Sequence, residues 1–205
     1  MCNLYIAGPA PQHMRTRWEK QVRDAIEELD SQRIFPGNSG VTARLVDGEP
    51  EAGVMQWGFE RDFANRPINN ARDDKLKGGM WGKAFRERRC VIPVRWFVEW
   101  HQFERTPSGK KRILSFQNPD GGYLWMAGLW EDVNGKLNYS MITTSPNDLM
   151  TPIHNRMPAI LAPDSIDAYL ESHEPPFDLI APYGGDMELK ELAKSIDDPN
   201  EGMLF

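Results

Sequence analysis

The N-terminus carries the most reactive pair of groups in the chain, within the opening MCNLYIAG. Removal of the initiator methionine is expected because a small residue follows it, and Cys2 then bears an α-amine and a thiol on adjacent carbons. An α-amine titrates near about 7.7 to 8.0 and a thiol near about 8.5, so a useful fraction of each is nucleophilic at neutral pH. With an aldehyde, the amine forms an imine and the thiol closes on the imine carbon to give a five-membered thiazolidine.

Three internal stretches hold polar residues that could assist this chemistry. In RPINNARDDK, Asn69 and Asn70 offer amide donors and acceptors, and Arg72 can bind a phosphate through two nitrogens. In RRCVIPVRWFVEWHQ, Glu99 has apolar neighbours, which raise a carboxyl pKa and suit the group to proton transfer near neutrality. In TPIHNRMPAIL, two prolines stiffen the backbone around His154, a candidate general acid or base.

Each stretch also has a purely structural interpretation. Consecutive asparagines are common in turns, Glu99 could lie at a sheet edge with its carboxylate in water, and a single histidine is more often structural or exposed. Cys2 could simply begin a first strand over residues 3–6. Taken one at a time, these motifs are weak.

Composition indicates an ordinary globular protein. The 205 residues fit one domain over residues 1–205, with 195–205 as a loosely held tail. With no run of 18 apolar residues and no signal peptide, we expect a cytosolic protein without membrane association. Cys2 and Cys90 are too few for a disulfide framework and lack metal-ligand spacing, so no metal or cofactor is expected, and Cys90 should be a small buried hydrophobe.

The charge distribution is asymmetric along the chain. The net charge is -6, yet residues 61–112 hold 14 Lys/Arg against 6 Asp/Glu, and the remainder holds 10 against 24. A basic middle segment on an acidic body can present a positive groove to phosphates. The alternative is a set of scattered, solvated cations.

Hydrophobic periodicity predicts an α+β fold. Met14, Trp18, Val22, Ile26 and Leu29 follow one helical face. Two C-terminal helices are predicted in DSIDAYLES and MELKELAKSI. Short strand-like runs lie between the helical ends: VTARLV, VMQWGF, CVIPV, WFVEW, KRILSFQ, YLWMAGLW and NYSMITT. Strands in succession, with helices at the two ends, predict a mainly antiparallel, strongly curved, barrel-like sheet with flanking helices.

Together these motifs resemble the SOS response-associated peptidase (SRAP) family, from Met1-Cys2 through MQWGF, INNAR, KAFRERRCVIPVRWFVEW and ITTSPNDLMTPIHNRMPAIL. The resemblance implies a barrel-like core and a sensor of abasic sites in single-stranded DNA that captures the ring-opened sugar as a covalent crosslink. We also expect slow abasic-site lyase activity by β-elimination from the imine. We expect a monomer that associates with the nucleoid when bound to DNA.

The resemblance assigns four catalytic residues. Cys2 would form the thiazolidine with C1′ of the sugar, and Asn70 would orient the aldehyde or the amine. Glu99 would transfer protons during ring opening, dehydration and reversal. His154 would assist proton transfer or contact the flanking phosphate.

It also implies a set of DNA-binding residues. Arg72 should bind phosphate, and Arg156 is a second candidate for that task. Lys75, Lys77 and Trp57 complete the expected DNA-binding set.

Three segments depart from the family pattern. Arg95-Trp96 replace the usual aspartate-glycine, MQWGF continues into ERDFANRP without the usual proline and tryptophan, and IFPGN replaces a YNxAP segment. These departures fall where a DNA strand would be stacked or guided, so they concern the preferred DNA structure more than the covalent chemistry.

Two other functions fit the same residues. A thiol peptidase or self-processing hydrolase could use Cys2 with His154. A noncatalytic single-stranded DNA-binding module would keep the basic segment without the capture chemistry.

Overall fold

The fold was obtained as a computed structural model that describes residues 2–11 and 16–192. These ranges contain three α-helices and thirteen β-strands, and most strand pairs are antiparallel. The expected α+β class is therefore confirmed. No helix within these ranges is long and apolar enough to cross a membrane.

Five strands close into a barrel at the centre of the molecule. They are β3 (Ser39–Val46), β4 (Glu49–Trp57), β6 (Arg89–Val94), β9 (Leu124–Val133) and β10 (Lys136–Thr144). The order is β10-β4-β3-β6-β9, and β9 pairs with β10 to close the ring. The β4–β10 pair is parallel, whereas the other four pairs are antiparallel. All five strands were predicted from the short apolar or alternating runs.

A second sheet carries the N-terminal strand. Its strands are β1 (Tyr5–Ile6), β2 (Arg33–Ile34), β7 (Trp96–Arg105), β8 (Lys111–Gln117) and β13 (Glu188–Leu192). The order β13-β8-β7-β1-β2 places β1 between two antiparallel neighbours. Because β7 follows β6 of the barrel after one residue, this sheet is joined directly to the barrel wall.

Three short strands extend the barrel sheet. They are β5 (Asn70–Arg72), β11 (Met157–Pro158) and β12 (Ile160–Leu161). β5 runs parallel to β10, with Asn70 beside Met141, and β11 pairs with the end of β10. The INNAR and HNRMP motifs are thus held against the same barrel strand.

Two of the three helices were anticipated. The first, α1 (Arg17–Glu27), begins with a capping box between Thr16 and Glu19 and buries Trp18 and Val22 against the core. The third, α3 (Ile166–Glu171), lies within the predicted DSIDAYLES helix. Met14, expected on the first helical face, lies outside the described residues.

Two secondary-structure predictions were wrong or incomplete. Helix α2 (Gly79–Glu87) was not predicted from the sequence, because the paired glycines at its start are poor helix formers. Residues 188–192 form β13 rather than a helix, since pairing with β8 overrides the helix propensity of Glu, Leu and Lys. The rest of that predicted helix, and the predicted tail 195–205, lie outside the described residues.

The core beneath the N-terminal strand is aromatic. Tyr5, Trp57 and Tyr139 are all 0% exposed. The two tyrosine hydroxyls form a 2.5 Å hydrogen bond, and the Trp57 ring packs edge-on against Tyr5 and stacks with Tyr139. Cys90 is also fully buried in this cluster, as predicted.

Gly58 is the residue that lets the chain turn at the end of β4. Its φ is +119°, and an added Cβ would overlap the side chain of Pro67. We predict that Gly58→Ala lowers the free energy of unfolding by about 2 to 3 kcal/mol, because backbone strain and overpacking add. Urea unfolding of both proteins measures the difference. Gly53→Ala is the matched control, since a Cβ there meets nothing within 4 Å. Equal losses in the two variants would contradict this account.

Candidate active site beside the N-terminal strand

A cleft of about 690 Å³ opens beside the N-terminal strand. We call it the β1 cleft. Its lining residues are Asn3, Phe35, Pro36, Arg66, Pro67, Asn69, Glu99, Trp100, Gln102, Lys111 and His154. Two of the four predicted catalytic residues, Glu99 and His154, therefore share one cavity.

Cys2 lies in the core at the start of the N-terminal strand. It is 0% exposed, and its thiol donates a hydrogen bond to the Leu4 carbonyl at 3.5 Å. Burial raises the pKa of the thiol well above its usual value, and the negative charge of Glu99 raises it further. The sulfur is therefore held as a neutral thiol at neutral pH.

Two neighbouring side-chain amides converge on the Cys2 carbonyl oxygen. Asn70 Nδ2 donates at 3.0 Å and Asn69 Nδ2 donates at 3.2 Å. A carbonyl only accepts, so the nitrogen of each amide must face Cys2. The Asn70 amide oxygen is buried and has no hydrogen-bond partner within residues 2–11 and 16–192, which leaves it able to accept a hydrogen bond.

Glu99 reaches the site from the neighbouring strand β7. The Val98 N–H donates to the Leu4 carbonyl at 3.0 Å, so the same antiparallel register places Glu99 beside Asn3. The side chain is 2% exposed. Burial raises the pKa of its carboxyl from 4.5 to about 7, an effect that Lys111 partly offsets. Glu99 can therefore hold or release a proton near neutrality.

His154 follows a tight turn that begins at Asn147. Its backbone N–H donates to the Met150 carbonyl at 2.9 Å. The ring Nδ1 lies 3.1 Å from both the N–H and the carbonyl oxygen of Arg156. Burial lowers the pKa of the imidazole, and the charge of Lys111 lowers it further, so the ring is neutral at physiological pH.

A second cavity of about 470 Å³ adjoins the first at His154. Arg72, Asn155 and Arg156 complete its lining. The exposed Arg72 guanidinium makes two 2.9 Å hydrogen bonds to Asp74, and Arg156 donates to Asp73 at 2.8 Å. The two arginines thus lie together, although each is paired with a carboxylate.

The remaining predicted DNA-binding residues divide into two groups. Lys75 and Lys77 are exposed on the segment after Arg72, and the Lys77 ammonium lies 5.8 Å from the Phe177 ring. Trp57 corrects the sequence-based expectation, because a side chain with no exposed surface cannot stack on a base. Its indole N–H instead donates to the Asn69 carbonyl at 2.9 Å and so helps to fix the backbone of Asn69 at the site.

Only part of the basic segment faces the cavities. Arg61 forms a two-pronged ion pair with Glu131, and the buried Arg89 donates to backbone carbonyls around α2 and α3. Lys111 and Arg66, by contrast, line the β1 cleft. Both were counted in the basic segment but not singled out, because a charge count does not tell which cations face a site.

The departures from the family pattern also separate in space. Phe35, Pro36, Arg66 and Pro67, from the IFPGN and NRP stretches, line the β1 cleft. Arg95 instead donates to carbonyls of the 121–122 turn, and its neighbour Trp96 is 8% exposed. Residues of two departures therefore line the cleft, whereas the third lies where β6 passes into β7.

The fold and the cleft define a class of α+β proteins in which the N-terminal strand lies against a five-stranded barrel and starts beside a polar cavity. The chain belongs to the SOS response associated peptidase (SRAP) family, whose sequence profile matches residues 1–199. The family expected from the motifs is therefore confirmed.

Named relatives and solved structures agree with this assignment. The chain is 26% identical to the abasic site processing protein YoaM of Bacillus subtilis, over 86% of this chain and 88% of that protein. It is 30% identical to the abasic site processing protein HMCES of Xenopus tropicalis, over 60% of this chain and 46% of that protein. Two crystal structures share the fold. A protein from Bordetella bronchiseptica has a TM-score of 0.70 and 23% identity, over 93% of this chain and 99% of that chain. A protein from Bacteroides thetaiotaomicron has a TM-score of 0.71 and 20% identity, over 97% of each chain.

Proposed function

We propose that this protein captures abasic sites in single-stranded DNA by forming a thiazolidine at Cys2 once Met1 has been removed. The observation that carries the proposal is the convergence of Asn69 and Asn70 on the Cys2 carbonyl, next to a carboxyl that titrates near 7. The names of the bacterial and animal relatives support the substrate class.

The capture reaction consumes an aldehyde and releases one water. The Cys2 α-amine attacks C1′ of the ring-opened sugar to give a carbinolamine, which loses water to form an imine. The thiol then adds across the C=N bond of the protonated imine: sulfur bonds to C1′, nitrogen keeps its proton, and a neighbouring base accepts the thiol proton. Because burial keeps the sulfur protonated, the amine attacks first and the thiol second.

Each neighbouring residue has a role in this sequence. Glu99 donates the proton that lets water leave and accepts the thiol proton during ring closure. The Asn70 amide donates to the Cys2 carbonyl, and its unpartnered oxygen would accept a hydrogen bond from the α-amine. The neutral His154 imidazole, at the junction of the two cavities, assists proton transfer or contacts the flanking phosphate.

DNA binding is assigned to the cations around the two cavities. Arg72 and Arg156 would exchange their aspartate partners for phosphate, and Lys75, Lys77 and Lys111 would extend the positive surface. Bound as an imine, the abasic sugar is also open to β-elimination, which would appear as slow strand cleavage. We propose that the protein acts as a monomer on DNA.

Intact mass measurement tests the proposed function. Purified protein without Met1 is incubated with a single-stranded oligonucleotide carrying one abasic site. The expected product has the summed mass of protein and oligonucleotide less one water. An oligonucleotide whose abasic aldehyde has been reduced to an alcohol is the control and should give no adduct. A processed protein that gives no adduct with the aldehyde would overturn the proposal.

Phosphate contact by Arg72 leads to a prediction about salt. We expect Arg72→Gln to weaken binding of undamaged single-stranded DNA about five- to tenfold at low salt, and to reduce the slope of log K against log salt by about 0.7, the value for one phosphate on a single strand. Fluorescence anisotropy over a salt series measures both. Lys20→Gln, at an exposed position of α1, is the control. A lower affinity with an unchanged slope would rule out a direct phosphate contact.

The structure favours capture over the peptidase alternative. A cysteine peptidase needs a thiol whose pKa is lowered by an adjacent imidazolium. Here burial raises the pKa of the Cys2 thiol and lowers the pKa of His154, so both groups are neutral. Cleavage of a peptide bond other than Met1-Cys2 would support the peptidase, and DNA binding without any adduct would support a noncatalytic module.

A further inference from the structure

Asn69 makes a set of contacts that the proposed catalytic residues do not account for. Its side-chain nitrogen donates to the Cys2 carbonyl at 3.2 Å and to the Asn3 amide oxygen at 3.1 Å, which uses both hydrogens of one NH₂ group. One side chain therefore binds both of the first two residues of the processed chain.

The backbone of Asn69 is fixed as firmly as its side chain. Its carbonyl accepts from the Trp57 indole at 2.9 Å and from the Met141 N–H at 3.0 Å. Trp57 is fully buried, and Met141 belongs to the barrel strand β10. The residue whose amide holds the N-terminal residues is thus hydrogen-bonded to the barrel.

We propose that Asn69 is a positioning residue that fixes the Cys2 carbonyl, and with it the α-amine, in the orientation from which the amine attacks an aldehyde. This inference rests on the proposed function. Asn70 alone would leave the carbonyl free to rotate about a single hydrogen bond, whereas two donors from consecutive residues fix the peptide plane.

The same geometry affects the basicity of the amine. Two N–H dipoles point their positive ends at the carbonyl on the carbon that carries the amine, and they disfavour a positive charge there. The titratable and charged groups that line the β1 cleft are Glu99 on β7, Lys111 on β8, His154 in its turn and Arg66. Of these only Glu99 can become negative near neutrality, so Asn69 helps keep the amine unprotonated as Glu99 ionises.

The test uses three variants at Asn69 and Asn3. Asn69→Ala removes both hydrogen bonds. Asn69→Asp keeps the shape but places a negative oxygen against the Cys2 carbonyl, and Asn3→Ala removes one partner of Asn69. Asn118→Ala, in the turn after β8, is the control because Asn118 binds the N–H of Asp120 rather than the N-terminal strand.

Two readouts separate positioning from simple loss of structure. At saturating abasic DNA, the crosslinking rate of Asn69→Ala should be about tenfold lower at pH 6.5, and this difference should shrink above pH 8.5, where the amine is deprotonated in both proteins. Asn69→Asp should be slower than Asn69→Ala, whereas affinity for undamaged DNA stays within twofold. Asn3→Ala should have a smaller effect that disappears in the Asn69→Ala background.

A small aldehyde makes failure of the inference distinguishable from failure of the proposed function. Capture of glycolaldehyde, followed by mass, needs only the N-terminal amine and thiol. The inference predicts the same order of rates: unmodified protein, then Asn69→Ala, then Asn69→Asp. Equal rates would overturn it even if DNA capture were confirmed, and a loss that is the same at every pH would overturn the effect of Asn69 on the basicity of the amine. If DNA capture fails but this order holds, the proposed substrate is wrong and the role of Asn69 stands.

Discussion

Replacement of Cys2 by alanine is expected to leave no stable adduct with abasic DNA, the largest effect of any single substitution in the chain. Alanine is also small, so Met1 is removed and an α-amine remains at residue 2. That amine can form the imine, but no sulfur is present to close the thiazolidine. We therefore expect an adduct that survives only when borohydride reduces the imine, and none in its absence. Intact mass with and without borohydride measures this difference.

Cys90→Ala is the control for the loss of a cysteine, because Cys90 is equally buried but lies in the barrel strand β6. It should give the full adduct. Affinity for undamaged single-stranded DNA should be the same for Cys2→Ala and the unmodified protein. A stable adduct in Cys2→Ala without reductant would show that another residue is the nucleophile.

Glu99→Gln is expected to slow crosslinking by about 10²-fold, the size of effect that general acid–base groups supply. In the unmodified protein the rate should fall as pH rises through about 7, because the protonated carboxyl that donates to the leaving hydroxyl is lost. Glutamine keeps the shape of the side chain without a titrating proton, so this limb should be absent. A pH–rate profile at saturating DNA measures both effects, and an unchanged limb would assign it to another group.

The same substitution should stabilise the protein at alkaline pH. The folded state holds the Glu99 proton up to about pH 7, whereas the unfolded chain releases it near 4.5, so ionisation destabilises the folded state progressively as pH rises between these values. The free energy of unfolding of Glu99→Gln should therefore exceed that of the unmodified protein by about 3 kcal/mol above pH 7.5. Below pH 4.5 this gain should be absent. Urea unfolding of both proteins at pH 5 and pH 8 tests this sign. Asn118→Ala again provides a surface control.

The barrel strands could be predicted from sequence because each is a short apolar or alternating run bounded by turn residues. CVIPV became β6 and NYSMITT lies within β10. The helix predicted at 187–196 was wrong because of a tertiary contact. The segment has helix-forming residues, but residues 188–192 pair with the open edge of β8 instead. The helix propensity of a segment does not indicate whether a distant strand has an open edge.

The candidate site was partly predictable for a similar reason. The pattern around Glu99, an acid inside an aromatic strand, indicated burial, and the structure places the side chain at 2% exposure. The role of Trp57 could not be predicted from the sequence, since a tryptophan before a glycine looks the same whether its ring contacts a base or its N–H binds a backbone carbonyl. The contact between Asn69 and Asn3 joins residues 66 positions apart, and only the path of β5 along β10 brings them together.

The position of β1 inside its sheet has a mechanical consequence. A crosslink at Cys2 would tie a DNA strand to a segment flanked by β2 and β7, with further backbone bonds from Ala7 to Gln32 and from Arg95 to Ile6. Tension along β1 would load the hydrogen bonds on both sides together, in shear, instead of peeling them one at a time. A DNA lesion held in this way is anchored to the folded body of the protein, so a motor that pulls on the DNA must unfold the domain to free its N-terminus.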